Sequence, residues 1–118
     1  MGGSSSGVFR GLAHVYPDAK KSDAQQTNHN LLLSSKSRMN SIPQLQIYED
    51  DVKCSHGSTT GQLNEEAIFY LRSRGIDRLE AIGLMVKGFA NEVVNKIENN
   101  KLKANIQKAL IQKMDGMI

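Results

Sequence analysis

The hydrophobic pattern of this 118-residue chain changes character between residues 57 and 61, and that change narrows the choice of fold. Before this point, apolar residues occur in short runs separated by Ser, Asn, Asp and Lys. After it, they recur every three or four positions, which is the period of an amphipathic helix. A strand-forming part followed by a helical part predicts a mixed β and α fold. The small residues between Gly57 and Gly61 are expected to connect the two parts.

The first part of the chain, residues 8–61, is predicted to form strands and turns. The segment Leu45–Tyr48 alternates with the period of two that is typical of a half-buried strand. The amide-rich residues 25–30 are compatible either with a loop or with side-chain amides that stack along a β structure. Residues 1–7 are almost entirely Gly and Ser, and we interpret them as a linker or a cloning scar.

The second part, residues 62–118, is predicted to form a small helical domain. Asn64 and Asp77 are suitable N-caps for a first and a second helix, and Gly75 between them is a suitable C-terminal stop. The second helix has a clear apolar stripe, made of Ile82, Met85, Val86, Phe89, Val93 and Ile97. Asn99-Asn100 is expected to break the second helix, and a last helix follows with an apolar face of Leu102, Ile106, Ala109, Leu110 and Met114. Short connections favour an antiparallel cluster of these helices.

Composition argues against several classes of function. Aromatic residues make up 5% of the chain and Trp is absent, which argues against a base-stacking surface for nucleic acid. The net charge of +3 is small and spread over the chain, so no clustered basic face is expected. No apolar run approaches the ~18 residues of a membrane span. A single cysteine cannot form an internal disulfide, which fits a cytoplasmic location.

The most informative residues by chemical type are Cys54 and His56. In a strand, residues two apart lie on the same face, so the thiol and the imidazole are expected side by side. Both groups bind iron or zinc well, but a structural metal site needs about four ligands. His14 and His29 could complete such a set as an isolated metal-binding module. The pair could also be a nucleophile and its base, although no cysteine-protease signature surrounds it. An incidental half-buried thiol beside a histidine remains the simplest interpretation.

The end of the first predicted helix is a second candidate site. Aromatic and basic side chains follow one another there, in the segment Phe69-Tyr70-Leu71-Arg72-Ser73-Arg74-Gly75. Cations at a helix C-terminus are explained by the helix dipole alone. Tyr and Arg are also typical anchors of protein interfaces, so a partner contact is the alternative.

Several of these segments together resemble the SufB/SufD family of the SUF system for iron–sulfur cluster assembly. The two most characteristic segments are Asp50–Gly57 and Glu65–Ile76. Upstream, the resemblance includes Val8–Leu12, Lys21–Ala24, Asn28–Leu33 and Leu45–Tyr48, so that it extends from about residue 8 to about residue 113. The segment Lys53–Gly57 resembles SufD-type more than SufB-type subunits, which tend to carry acidic residues around a histidine.

The resemblance implies a more specific fold than the pattern alone. Residues 8–61 would form the last turns of a right-handed parallel β-helix, and residues 62–118 the small C-terminal helical domain that follows it. Family members carry a longer N-terminal region with more turns of the β-helix. The resemblance therefore implies a C-terminal portion of such a subunit, which could self-associate through its exposed β-helix end.

The resemblance also implies a function. A non-catalytic scaffold subunit of this type contributes to a transient iron–sulfur cluster at the SufB–SufD interface, and no cofactor is expected to be held tightly by this chain alone. His56 matches the family's ligand or functional histidine, and Cys54 lies close to the same interface. The helical end would dock the SufC ATPase, through Phe69, Tyr70, Arg72, Arg74 and Gly75. The chain is not expected to bind nucleic acid or a membrane.

Overall fold

The computed structural model describes residues 1–116, which contain four strands followed by three helices. The strands are β1 (Ser6–Val15), β2 (Asp23–Leu32), β3 (Arg38–Ile47) and β4 (Lys53–Gln62). The helices are α1 (Glu65–Ser73), α2 (Arg78–Val94) and α3 (Asn100–Asp115). This order is consistent with the mixed β and α class that the sequence predicts. The chain divides into a strand unit, Met1–Gln62, and a helical unit that begins at Leu63.

The strands pair in parallel, and each pair skips one strand of the sequence. β1 pairs with β3, from Ser6 opposite Arg38 to Val15 opposite Ile47. β2 pairs with β4, from Asp23 opposite Lys53 to Leu32 opposite Gln62. The chain therefore alternates between two sheets as it runs from β1 to β4. Parallel pairing needs such a return connection, which here is provided by a strand of the other sheet.

The prediction of the last turns of a right-handed parallel β-helix is wrong. The strands of the described chain form two separate sheets of two strands each. The physical reason for the error is that a period of two determines which face of a strand is buried. It does not determine how many strands pair in one sheet, and the more specific arrangement came from the resemblance alone.

The strand unit is held by backbone pairing and by a small interior. Side chains of β1 alternate between exposed and half-buried positions up to Val15, which is 5% exposed. The first residues also take part in this unit. The N-terminal ammonium group of Met1 donates a hydrogen bond to the carbonyl of Leu31 at 2.7 Å, and the N–H of Leu33 donates to the carbonyl of Met1 at 2.7 Å. The amide-rich residues 25–30 form strand, so the loop alternative is wrong.

The helical unit confirms Asn64 and Asp77 as N-caps, but α2 ends at Val94, so Ile97, which the sequence places in its apolar stripe, lies beyond the helix. Asn64 Oδ1 accepts hydrogen bonds from the N–H groups of Glu66 and Ala67 at 3.0 and 3.2 Å. Asp77 caps α2 and Asn99 caps α3 in the same way, each with one bond of 3.0 Å. These oxygens satisfy N–H groups that a helix leaves unpaired at its start.

Gly75 ends α1 in the left-handed conformation that the sequence predicts, with φ of +86°. Its N–H donates to the carbonyl of Arg72 at 3.0 Å, and the N–H of Ile76 donates to the carbonyl of Leu71 at 3.2 Å. These two bonds form a Schellman motif, in which glycine avoids the steric cost of a positive φ.

The core of the helical unit is small. Ile68, Ala81 and Val94 are 1%, 0% and 6% exposed, and most of the predicted stripe of α2 is half-buried. The predicted core position Val93 is wrong, because its side chain is 61% exposed. In α3 the expected core residue Leu102 is half exposed, and the helix buries none of its described side chains completely.

Candidate functional site

Cys54 and His56 lie on β4, as the sequence predicts, and alternation along the strand places them on the same face. Their partners across the sheet are Ala24 and Gln26 of β2. Cys54 is half-buried and His56 is exposed. β4 pairs with β2 along one edge, and no other strand of residues 1–116 pairs with its second edge. The imidazole is therefore accessible to a partner that approaches this end of the strand unit.

The β2 side of this face carries a row of amide side chains, namely Gln26, Asn28 and Asn30. Asn30 Nδ2 donates to Asn28 Oδ1 at 2.6 Å and to the carbonyl of Thr59 at 3.1 Å. Asn28 Oδ1 also accepts from Ser41 Oγ at 2.9 Å. Asn28 and Asn30 therefore connect β2 to both β3 and β4.

Gln26 belongs to the amide-rich segment 25–30, but nothing in the sequence marks it apart from the other amides of that segment. Its Oε1 atom is buried and has no hydrogen-bond partner in the described part of the chain. The sequence does show amide side chains at every second position, residues 26, 28 and 30. This is the period of a strand, so it predicts that the three amides share one face. Gln26 is notable because the pairing of β2 with β4 places it directly opposite His56. No local sequence pattern predicts which residues of two distant strands lie opposite each other.

The proposed set of one cysteine and three histidines is not brought together. His14 lies on β1, in the other sheet, where its ring stacks against Tyr16 and Tyr48 with centroids 4.3 and 5.2 Å apart. His29 neighbours Asn28 and Asn30 and so points to the opposite face of its sheet, where its Nδ1 is 2.6 Å from Thr59 Oγ1. Within residues 1–116, no three His, Cys, Asp or Glu side chains form a cluster that could hold a metal ion.

The two aspartates before β4 take part in a turn. The N–H groups of Asp50 and Asp51 lie 3.1 and 3.3 Å from Glu49 Oε1, which accepts hydrogen bonds from both. Asp50 and Asp51 also line an open cavity of about 450 Å³ at the beginning of β2 and β4, together with Lys21, Ser22, Asp23, Val52 and Lys53. Neither Cys54 nor His56 lines this cavity.

The second candidate site is the exposed end of α1. Phe69 and Tyr70 are 73% and 56% exposed, and the Arg74 guanidinium lies 5.3 Å from the centre of the Tyr70 ring. Arg72 and Gly75 are also exposed. Arg72 lies in the last turn, where a cation favours the helix dipole. The dipole accounts for the position of Arg72 but not for the two exposed aromatic rings.

An ion pair that the sequence did not reveal joins the first turns of α1 and α2. Arg78 donates two hydrogen bonds to the Glu65 carboxylate, both of 3.0 Å. The hydrogen bonds from Arg78 lower the pKa of Glu65, and the hydrogen bonds to Glu65 raise the pKa of Arg78. Both side chains are largely exposed. The pair joins α1 to α2 at the surface, but residues 13 positions apart on different helices leave no local signal.

Comparison with known families gives a match over most of the chain. Residues 1–89 match the family model described as the SufBD core domain of SUF system FeS cluster assembly. The matched range contains all four strands, Cys54 and His56, and the whole of α1. It ends within α2.

Several curated proteins are similar to the chain. The iron–sulfur cluster assembly protein SufD of Escherichia coli is 43% identical over 109 residues, which cover 92% of this chain and 26% of that protein. A SufBD family protein of Synechocystis is 44% identical over 103 residues, covering 87% of this chain and 23% of the relative. SufD of Bacillus subtilis is 34% identical over 114 residues, which cover 97% of this chain and 26% of that protein. The chain thus spans about a quarter of the length of these relatives.

Among residues 1–116, no helix combines the length and the apolar character that a membrane crossing requires.

Proposed function

The chain belongs to the SufBD family of the SUF system for FeS cluster assembly, and from this membership we propose that it acts as a non-catalytic scaffold in building iron–sulfur clusters. The proposal assigns the SufD role to the chain and treats the cluster as cargo that forms and leaves. Two relatives whose names include SufD, at 43% and 34% identity, support the SufD role over the SufB role.

The observation that carries the proposal is the shared face of Cys54 and His56 at the free edge of β4. A thiolate and a neutral imidazole both bind iron once they have lost a proton. Two such groups are too few to surround a cluster, and residues 1–116 supply no third ligand beside them. The missing ligands therefore come from a partner, which we propose to be the SufB subunit.

The exposed His56 is the stronger candidate of the two for direct contact with the cluster. A partner seated on this edge of β4 reaches its imidazole without moving the strand unit. The half-buried Cys54 is placed two residues nearer the start of the strand and is less accessible. In this proposal Cys54 is close to the cluster, and its thiol becomes available when the interface opens.

We propose that the end of α1 docks the SufC ATPase. Phe69 and Tyr70 offer two exposed rings, and Arg72 and Arg74 offer positive charges next to them. Because the Schellman motif at Gly75 fixes the end of the helix, these groups leave it in defined directions. The cycle of ATP binding and hydrolysis in SufC would then move the SufB–SufD interface, and this chain would transmit the movement.

The experiment that tests the scaffold role compares two histidine variants in a complex reconstituted with SufB and SufC. His56→Ala is expected to leave folding intact, because the side chain is exposed, and to abolish cluster formation as followed by its visible absorption. His29→Ala is the matched control, since His29 belongs to the same sheet but to its opposite face. Normal cluster formation with His56→Ala would rule out the role given to this residue.

A further inference from the structure

Gln26 lies on β2 directly opposite His56, and both side chains belong to the same face of the sheet. The Oε1 atom of Gln26 is buried without a hydrogen-bond partner among residues 1–116. Buried polar atoms are nearly always paired in native proteins, so each exception needs a physical explanation. An amide oxygen can only accept a hydrogen bond, and the group missing beside it is a donor.

Neighbouring pairs along the same two strands show that such a bond spans the required distance. Asn30 Nδ2 lies 3.5 Å from Oγ1 of Thr60, its direct partner on β4. On the other face, His29 Nδ1 lies 2.6 Å from Oγ1 of its direct partner Thr59. Adjacent strands are about 4.8 Å apart, which lets opposite side chains touch. The Gln26–His56 pair has the same placement and complementary groups.

The position of the Gln26 amide is restricted by Gly11 of β1. A Cβ atom on Gly11 would lie 2.6 Å from Gln26 Nε2 and 2.8 Å from its amide carbon. The amide therefore occupies the space that a larger residue would fill, and it lies against the backbone of the other sheet. An acceptor held in this way changes little when the imidazole approaches it.

We propose that Gln26 is a positioning residue for His56: rotation of the exposed imidazole towards β2 brings one ring N–H to the side-chain oxygen of Gln26, which then accepts a hydrogen bond that the two side chains do not make in this structure. The N–H that is bound in this way fixes the tautomer, and the other ring nitrogen keeps its lone pair for iron. The inference deepens the proposed function and rests on it, because it concerns the residue to which that function assigns the cluster contact.

The test observes the ring N–H of His56 directly by proton–nitrogen NMR of the whole chain, at a pH where histidine is neutral. A ring N–H in a hydrogen bond exchanges slowly with water and gives a visible signal, with nitrogen shifts of a single tautomer. We expect this signal in the unmodified chain. If the His56 N–H exchanges freely in the unmodified chain, the inference is wrong, whatever any variant does.

Three variants separate positioning from packing. Gln26→Met keeps an unbranched side chain of similar length but removes both polar atoms, and the signal is expected to disappear. Gln26→Glu keeps an acceptor and is expected to restore it. Gln25→Met is the control, because Gln25 is exposed on the opposite face and pairs with Ser55. An unchanged His56 signal in Gln26→Met would overturn the inference, and circular dichroism checks that each variant is folded.

The same variants separate this inference from the proposed function. In the complex with SufB and SufC, Gln26→Met is expected to lower the rate of cluster formation about 10- to 100-fold, the usual cost of losing a partner behind a metal ligand. Gln26→Glu and Gln25→Met are expected to retain most of the rate of cluster formation. If the NMR signal depends on Gln26 but His56→Ala assembles clusters normally, the proposed function fails and the hydrogen bond stands. If His56→Ala is inactive but Gln26→Met behaves like the unmodified chain, only the inference about Gln26 fails.

Discussion

Replacing Ile68 by Ala should remove most of the stability of the helical unit. Ile68 is 1% exposed and is the largest fully buried side chain in the described part of the chain. Truncation of such a residue to Ala usually costs about 2–5 kcal/mol, because apolar contacts are lost and a cavity remains. A unit of this size has only roughly 3–8 kcal/mol of unfolding free energy in total. The other core residues, Ala81 and Val94, are too small to refill the space.

Urea unfolding followed by far-UV circular dichroism measures this loss. With a slope of about 1 kcal/mol/M, the low end of the usual range, the midpoint of the helical transition should fall by roughly 2 M or more. Phe69→Ala is the matched control, because Phe69 follows Ile68 in α1 but is 73% exposed. Its effect on stability should stay within about 0.5 kcal/mol. Equal midpoints for the two variants would refute the assignment of Ile68 to the core.

The same Phe69→Ala variant should weaken binding of purified SufC in a calorimetric titration, since the ring is free for a partner; unchanged affinity would remove Phe69 from the proposed docking surface. Asn64→Ala should lower the thermal midpoint through a loss of about 1 kcal/mol, because the first N–H groups of α1 lose their acceptor. Gly75→Ala should destabilise by about 1 kcal/mol in urea unfolding, because Ala is strained at a φ of +86°. Glu65→Gln should flatten the acid side of a stability–pH profile: the pKa of Glu65 is lowered in the folded state, so its contribution is present above the unfolded pKa and is lost as the pH falls through the folded one. A profile identical to that of the unmodified chain would show that the pair with Arg78 contributes nothing to stability.

Local signals predicted what depends on neighbours in the sequence. Asn64, Asp77 and Gly75 mark helix ends because caps and left-handed stops are made within a few residues. The shared face of Cys54 and His56 follows from the strand period alone.

Features that depend on distant parts of the chain could not be predicted in this way. The pairing of β2 with β4 joins residues that are far apart in sequence, and it alone brings Gln26 opposite His56. The Glu65–Arg78 pair likewise needs two helices to meet. Val93 belongs to the apolar stripe of α2 but is exposed. The helical period predicts which residues share a face, but it does not predict how much of that face another helix covers.

The parallel register of β2 and β4 has a consequence for changes in chain length. Deleting Lys53, the residue of β4 ahead of Cys54, would move every following side chain of the strand to the opposite face of the sheet. His56 would then lie on the face that Ser55 occupies now. The turns at residues 33–37 and 48–52 lie outside the strands and can absorb an added or lost residue without this inversion. We therefore expect natural and engineered length variation in this region to be confined to the turns, while the spacing from Lys53 to His56 stays fixed.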